Sequence, residues 1–212
     1  MVAKLKGRVA PRIDAEALTD TFRQQMESAH VCDASISEER LPSLQSARVE
    51  RCLLRSVTLS AREAERLRLT DTRIENSDLA NANLTGGIFE RVEFCEARLT
   101  GISLNESRLK SVLWRECKLD FALFRMTRLE QCVFERCNLT EADFYGADLT
   151  GTVFRGSDLS RADVSQARLA GADIRDCRLD GMRGTPSNVE GLLVSPDQAM
   201  VLITLFGVRV DW

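Results

Sequence analysis

The chain has 212 residues, 44 % hydrophobic and 29 % charged, with four prolines, a composition that suits one folded domain and excludes disorder away from the ends. Its 29 Lys and Arg nearly balance 32 Asp and Glu, so a net charge of -3 implies no gross pull toward nucleic acid or membrane. No apolar run reaches the roughly 18 residues of a membrane span, and the basic start lacks the apolar core of a signal peptide, which points to the cytoplasm.

In chain order, residues 1–12 carry Lys4, Lys6, Arg8 and Arg12 with no acid. They read as a basic flexible tail, or as a contact for an acidic partner. Residues 13–41 follow as a helix and connector. In DAEALTDTFRQQMESAH, Leu18, Phe22 and Met26 recur four apart behind Asp14 as N-cap, predicting a helix over about 15–28 with one apolar stripe. Residues 31–41 then lead into the next region.

From 42 to 191 the pattern has a period of five. Thirty centres run from Leu44 to Val189 in one register, and all but Ala64 and Gly184 are Leu, Ile, Val, Phe or Trp. A helix repeats near 3.6 residues and a strand near 2, so this backbone must turn one corner per repeat. Two residues before each centre lies a small one, as at Ala82, Ala97, Ala122, Ala142 and Ala162. Cys52, Cys117, Cys132, Cys137 and Cys177 share that inward column, where a thiol packs as a small hydrophobe. Cys95 is expected to face outward, and Cys32 falls in the connector. The cysteine total of seven, without CxxC or CxH spacing, argues against disulfides and zinc. At a spacing of twenty, Phe94, Trp114, Phe134 and Phe154 fall on one face and Phe124 and Phe144 on another, so four repeats make a coil with aromatics stacked along its axis. The stretch 60–67 fits worst, with Arg62 at a small position and Ala64 at a centre, and predicts a bulge or short excursion.

Residues 192–212 form the last unit. SPDQ at 195–198 reads as a capping box with Ser195 as N-cap, Pro196 first in the helix and Gln198 reaching back; Gly207 ends the helix. Met200, Val201, Leu202, Ile203, Leu205 and Phe206 make it apolar nearly all round, which requires cover on more than one side. The last coil supplies one side. A two-fold homodimer through Leu202, Leu205, Phe206, Val208 and Trp212 would supply the other.

The repeats ADFYG, ADLTG, SDLSR, ADVSQ and ADIRD resemble the consensus A(D/N)LXX of the pentapeptide-repeat family, and the resemblance covers about 150 residues. It implies an all-β solenoid, a right-handed quadrilateral β-helix of about 7 coils, here with an N-terminal and a C-terminal capping helix. At a strand spacing of roughly 4.8 Å the tower would stand about 36 Å tall. The family's quinolone-resistance members mimic duplex DNA, bind DNA gyrase or topoisomerase IV and end in a similar dimerising helix, so the resemblance names these enzymes as partners.

Nothing in the sequence reads as an enzyme. The one histidine, His30, lies outside the repeats, no P-loop or GxGxxG is present, and no catalytic, cofactor or metal residues are assigned. Binding surfaces are the alternative. Between 138 and 174 the outward acids Glu141, Asp143, Asp148, Asp158, Asp163 and Asp173 outnumber the bases and adjoin the expected dimer joint, which makes them the candidate partner-binding surface. Between 98 and 128 bases prevail, among them Arg108, Lys110 and Arg128. A tower copying duplex DNA in full would carry roughly 20 net negative charges. The outward positions here hold 23 acids and 21 bases. Three readings follow: a topoisomerase-binding DNA mimic, a scaffold for another protein partner, and a polyanion-binding module using the basic middle. No direct nucleic-acid or membrane contact is expected under the first two. Arg48, Arg68, Arg108, Arg128 and Arg168 share one face, where pairing with Glu50, Glu90 and Glu130 would relieve their repulsion.

Overall fold

The computed structural model describes residues 8–14, Gln25 and 29–209, without the side chain of Leu205. Its body is a parallel β-solenoid. The strands are β1 (His30–Cys32), β2 (Ser35–Ser37), β3 (Arg48–Glu50), β4 (Leu53–Arg55), β5 (Arg68–Glu75), β6 (Ile88–Cys95), β7 (Arg108–Lys110), β8 (Leu113–Arg115), β9 (Arg128–Glu130), β10 (Val133–Glu135) and β11 (Val153–Arg155). Each pairs in parallel with the strand one coil away. On one face Ile74, Phe94, Trp114, Phe134 and Phe154 follow each other in register, twenty residues apart. Isolated bridges such as Ser103 to Leu123 and Lys118 to Asn138 continue the same step on the other faces.

The corners explain the period of five. From Ser46 to Gly181 the third residue before every centre has a left-handed φ, between 49° and 70°. At many corners the centre's carbonyl accepts from the amide three residues on, as from Ala82 N to Leu79 O at 3.1 Å. A positive φ at the third position of such a turn is the type II signature. One turn residue, one small inward residue and one large one therefore recur together, and the chain closes a four-sided coil.

Inside, the columns fill the tower. Trp114, Phe124, Phe134 and Phe144 are fully buried, and Trp114 stacks on Phe134 with ring centroids 4.3 Å apart and on Phe94 at 6.0 Å. Phe134 stacks on Phe154 at 4.8 Å, and the Phe124–Phe144 column meets this one edge to face. Each fully buried Phe contributes roughly 2 to 3 kcal/mol through apolar burial. Among the described residues no helix is long and apolar enough to cross a membrane.

Three expectations are revised. The solenoid begins before residue 42: β1 pairs with β3 and β2 with β4, at a step of eighteen residues, so Val31, Ile36 and Leu41 are already inward centres. This first coil is two residues short, which hid it from a search at strict period five. The stretch 60–67 has no bulge, because Ala61 takes the corner conformation, Ala64 is buried at its centre and Glu63 bridges to Asn83 in normal step. Residues 8–14 do not hang free. Arg8 Nη2 donates to Glu93 Oε1 at 2.5 Å, and the Arg12 amide to Asp71 Oδ1 at 2.9 Å. Ala10, Pro11 and Ile13 then lie along Leu53, Arg73 and Glu75 of β4 and β5. The helix expected over 15–28, and Lys4 and Lys6, lie outside the described residues apart from Gln25, which is helical.

The C-terminal helix α1 (Pro196–Leu205) matches expectation. Ser195 Oγ accepts from the Gln198 amide, the Ser195 amide donates to Gln198 Oε1 at 2.9 Å, and Gly207 follows with a φ of 79°. Gln198 does more than cap. Its buried Nε2 donates to the carbonyls of Ile174 at 2.7 Å and Cys177 at 2.8 Å, so one side chain closes the helix start and joins α1 to the last coils.

Candidate functional site

The six carboxylates singled out by sequence do not share one surface. Asp143 and Asp163 stack on the face centred on Phe144 and Val164, with Glu141 at the adjoining corner, whereas Asp148, Asp158 and Asp173 stand before Leu149, Leu159 and Ile174 on the other three faces. Each is joined to an arginine: Asp143 to Arg125 at 3.3 Å, Glu141 to Arg161 at 3.2 Å, Asp148 to Arg168 at 3.4 Å. Asp158 meets Arg178 at 3.5 Å, Asp163 meets Arg183 at 3.4 Å and Asp173 meets Arg175 at 2.6 Å.

The other carboxylate oxygen serves the backbone. Oδ1 of Asp143, Asp158 and Asp163 accepts at 2.9 Å from the amide two residues on, Tyr145, Ser160 and Ser165. Asp148 and Asp173 do the same at 3.2 Å. An aspartate before the centre thus holds an outward amide, the physical reason for its place in the repeat. For Asp148 and Asp163 partial burial acts to raise the carboxyl pKa, but the Thr150 and Ser165 hydrogen bonds and nearby arginines together hold it below the usual range. For Asp173 the Arg175 hydrogen bond is the largest influence, in the same direction.

The arginine face is paired only in part. Arg48 meets Glu50 at 3.4 Å, Lys110 meets Glu130 at 3.3 Å, and Glu90 turns to Arg91. Arg68, Arg108 and Arg128 form no ion pair among the described residues, although Arg108 and Arg128 are direct neighbours in register. With Ile88, Leu109 and Lys110, Arg108 and Arg128 border an open groove.

Of the residues expected at a dimer joint, Leu202 is buried in its own core and Phe206 packs partly against it. Both face the last coil because the first apolar side of α1 is the one that Gln198 anchors. Val208 is exposed, as is Ile203, while the Leu205 side chain and Trp212 lie outside the described residues.

The inward cysteines are buried as expected. Burial pushes Cys52 and Cys177 up to about 11 and Cys132 up to about 12, and Cys117 rises through its Cys137 neighbour and burial. Cys95 holds its outward strand position, next to inward Phe94, but is not exposed. It is buried and its pKa raised, because it is shorter than its in-register neighbours Glu75 and Arg115. No group of His, Cys, Asp and Glu among the described residues could hold a metal ion.

Two family profiles match the chain: "Pentapeptide repeat region" over residues 87–162 and "Pentapeptide repeats (8 copies)" over 147–181. They fall on the coils whose corners and ladders are described above. The chain belongs to the pentapeptide-repeat family. Among solved structures, this pentapeptide-repeat protein is similar to a trypsin-treated single-residue variant of QnrB1, a plasmid-mediated fluoroquinolone resistance protein, at 18 % identity and a TM-score of 0.43, covering 86 % of this chain and 100 % of that one. It is also similar to HetL, a pentapeptide repeat protein involved in heterocyst differentiation regulation from the cyanobacterium Nostoc sp. strain PCC 7120, at 17 % identity and a TM-score of 0.48, covering 83 % and 94 % of the two chains. A search of curated proteins returns no match for the pentapeptide-repeat protein.

Proposed function

We propose that this pentapeptide-repeat protein works without catalysis, by binding another protein along the faces of its tower, as a cytoplasmic homodimer joined at α1. The observation that carries the reading is the filled core. Aromatic columns occupy the axis, so ligand chemistry is left to side chains held outward at fixed spacing on a stiff ladder. Ile203 on α1 and Val208 just after it, both apolar and exposed, favour the dimer.

DNA gyrase and topoisomerase IV are the partners the family resemblance names. The pairing of all six candidate carboxylates weighs against mimicry by bare negative charge and favours a partner of mixed charge. The test is a titration of the purified protein into a gyrase supercoiling assay, with and without a fluoroquinolone, beside an acidic control protein. Inhibition or drug protection at low micromolar protein would support the topoisomerase reading. No effect at large excess would remove it and leave the scaffold reading, to be pursued by cross-linking and affinity capture in cells.

A further inference from the structure

One face of the tower buries apolar side chains that point away from its core. The residue before each centre faces outward, and on this face it is Leu53, Arg73, Glu93, Leu113, Val133 and Val153 in turn, each the in-register neighbour of the next. An outward side chain with nothing laid over it meets water. Leu123, in the equivalent place on another face, is half-buried, as is Val153. Leu113 and Val133 are each only 2 % exposed. Leu53 shows what such burial takes, since it too is buried and Ala10, Pro11 and Ile13 lie along it.

The segment that covers Leu53 climbs the same column. The Arg12 amide bonds to Asp71, at the corner before Arg73, and four residues nearer the N-terminus Arg8 meets Glu93, one coil on. Both side chains of that ion pair are 13 % exposed, whereas in a cross-coil pair elsewhere, Arg178 with Asp158, the arginine is 75 % exposed. The chain thus runs from Leu53 toward Leu113, and its described part stops at Glu93, one coil short.

Residues 1–7 have the reach and the pattern to go on. From Glu93 to Val153 is three coil steps, about 14 Å, and seven extended residues span up to about 23 Å. In an extended segment Ala3 and Leu5 fall on one side and Lys4 and Lys6 on the other. We infer that residues 1–7 continue the strap over Leu113 and Val133, with Ala3 and Leu5 against this apolar strip and Lys4 and Lys6 toward solvent. The start of the chain is then one clasp along five coils, from Leu53 to Val133. The inference stands apart from the protein-binding function proposed above and limits it, because that stretch of the face is closed to a partner.

The test places the photoreactive residue p-benzoylphenylalanine at position 5 of the full chain and maps its links by peptide mass spectrometry. The expected links join position 5 to residues 111–135 of the same molecule. Links to another face, or no links, overturn the inference. So do links between two molecules, which would give the strip to a second copy. Thiol labelling tests the same seat without the probe. In the full chain, Leu113→Cys should react with a maleimide at least tenfold more slowly than Leu123→Cys. Adding Ala3→Asp/Leu5→Asp should remove that difference while the buried Cys117 stays unlabelled, and adding Lys4→Ser/Lys6→Ser should leave it in place. Equal rates at positions 113 and 123 in the first pair, a slow Leu113→Cys despite Ala3→Asp/Leu5→Asp, or a rise shared by Cys117, which would come from unfolding, each overturn the inference. Loss of the difference on changing Lys4 and Lys6 would also overturn it, since the seat would then be electrostatic.

Discussion

Replacing Phe134 by Ala should be the most damaging single truncation in the core. Its ring is fully buried between Trp114 at 4.3 Å and Phe154 at 4.8 Å, with Phe124 and Phe144 edge-on at 5.8 and 6.3 Å. A Phe to Ala change in a core costs about 3 to 5 kcal/mol, and the spread reflects how far the site can collapse. Here collapse is blocked. The coil spacing is set by parallel ladder bonds such as Val133 N to Val112 O at 2.9 Å, so the neighbouring rings cannot close the gap without breaking the ladder. Two stacked partners are lost as well, each worth about 0.5 to 1.5 kcal/mol beyond burial. The expected loss is therefore about 4 to 5 kcal/mol, against about 3 for Phe89→Ala, whose one aromatic neighbour among the described residues, Phe94, is tilted and lies at 6.3 Å. Equilibrium urea unfolding followed by circular dichroism measures both. A loss under about 1 kcal/mol at Phe134, or a larger loss at Phe89, would refute the argument that a rigid coil spacing preserves the cavity.

Other outcomes follow from particular contacts. Gln198→Ala leaves the Ile174 and Cys177 carbonyls without their donor, and should cost about 1 to 3 kcal/mol while raising hydrogen exchange in α1 before the middle coils. Asp71 is buried, which acts to raise its pKa, but bonds from Arg91 at 2.7 and 2.8 Å and from the Arg12 amide hold the carboxyl below its ordinary value. Its contribution is present above the unfolded pKa of about 3.9 and is lost as pH falls through the lower folded value, so Asp71→Asn should cost about 2 kcal/mol at neutral pH and little near pH 2 in paired denaturation curves. A chromogenic thiol reagent should label Cys32 quickly in the native protein and the six buried cysteines only on unfolding; fast labelling at Cys95 would contradict its burial.

The body of the fold was legible because one backbone rule recurs. A corner every fifth residue forces an inward side chain one and three positions later, and that spacing survives in the sequence even through Arg62 and Ala64. The first coil was not legible, since two missing residues between Leu41 and Leu44 break the phase while leaving Val31, Ile36 and Leu41 inward. Site-level reading fared differently. Charge counts see Asp143 or Asp158 as a free acid, but its arginine is eighteen or twenty residues away in sequence and one coil away in space. The burial of Cys95 was missed for the same reason, because burial of an outward residue depends on the lengths of its neighbours in adjacent coils.

The contact between Arg8 and Glu93 spans 85 residues of chain. During synthesis Arg8 leaves the ribosome long before its seat exists; at roughly 5 to 20 residues per second the interval is about 4 to 17 s. Through that interval Asp71 and Glu93 are absent or still being wound into coils, and the segment that will cover them waits unplaced. The earliest part of the tower to be made is thus completed by a clasp that can fasten only after later coils have formed.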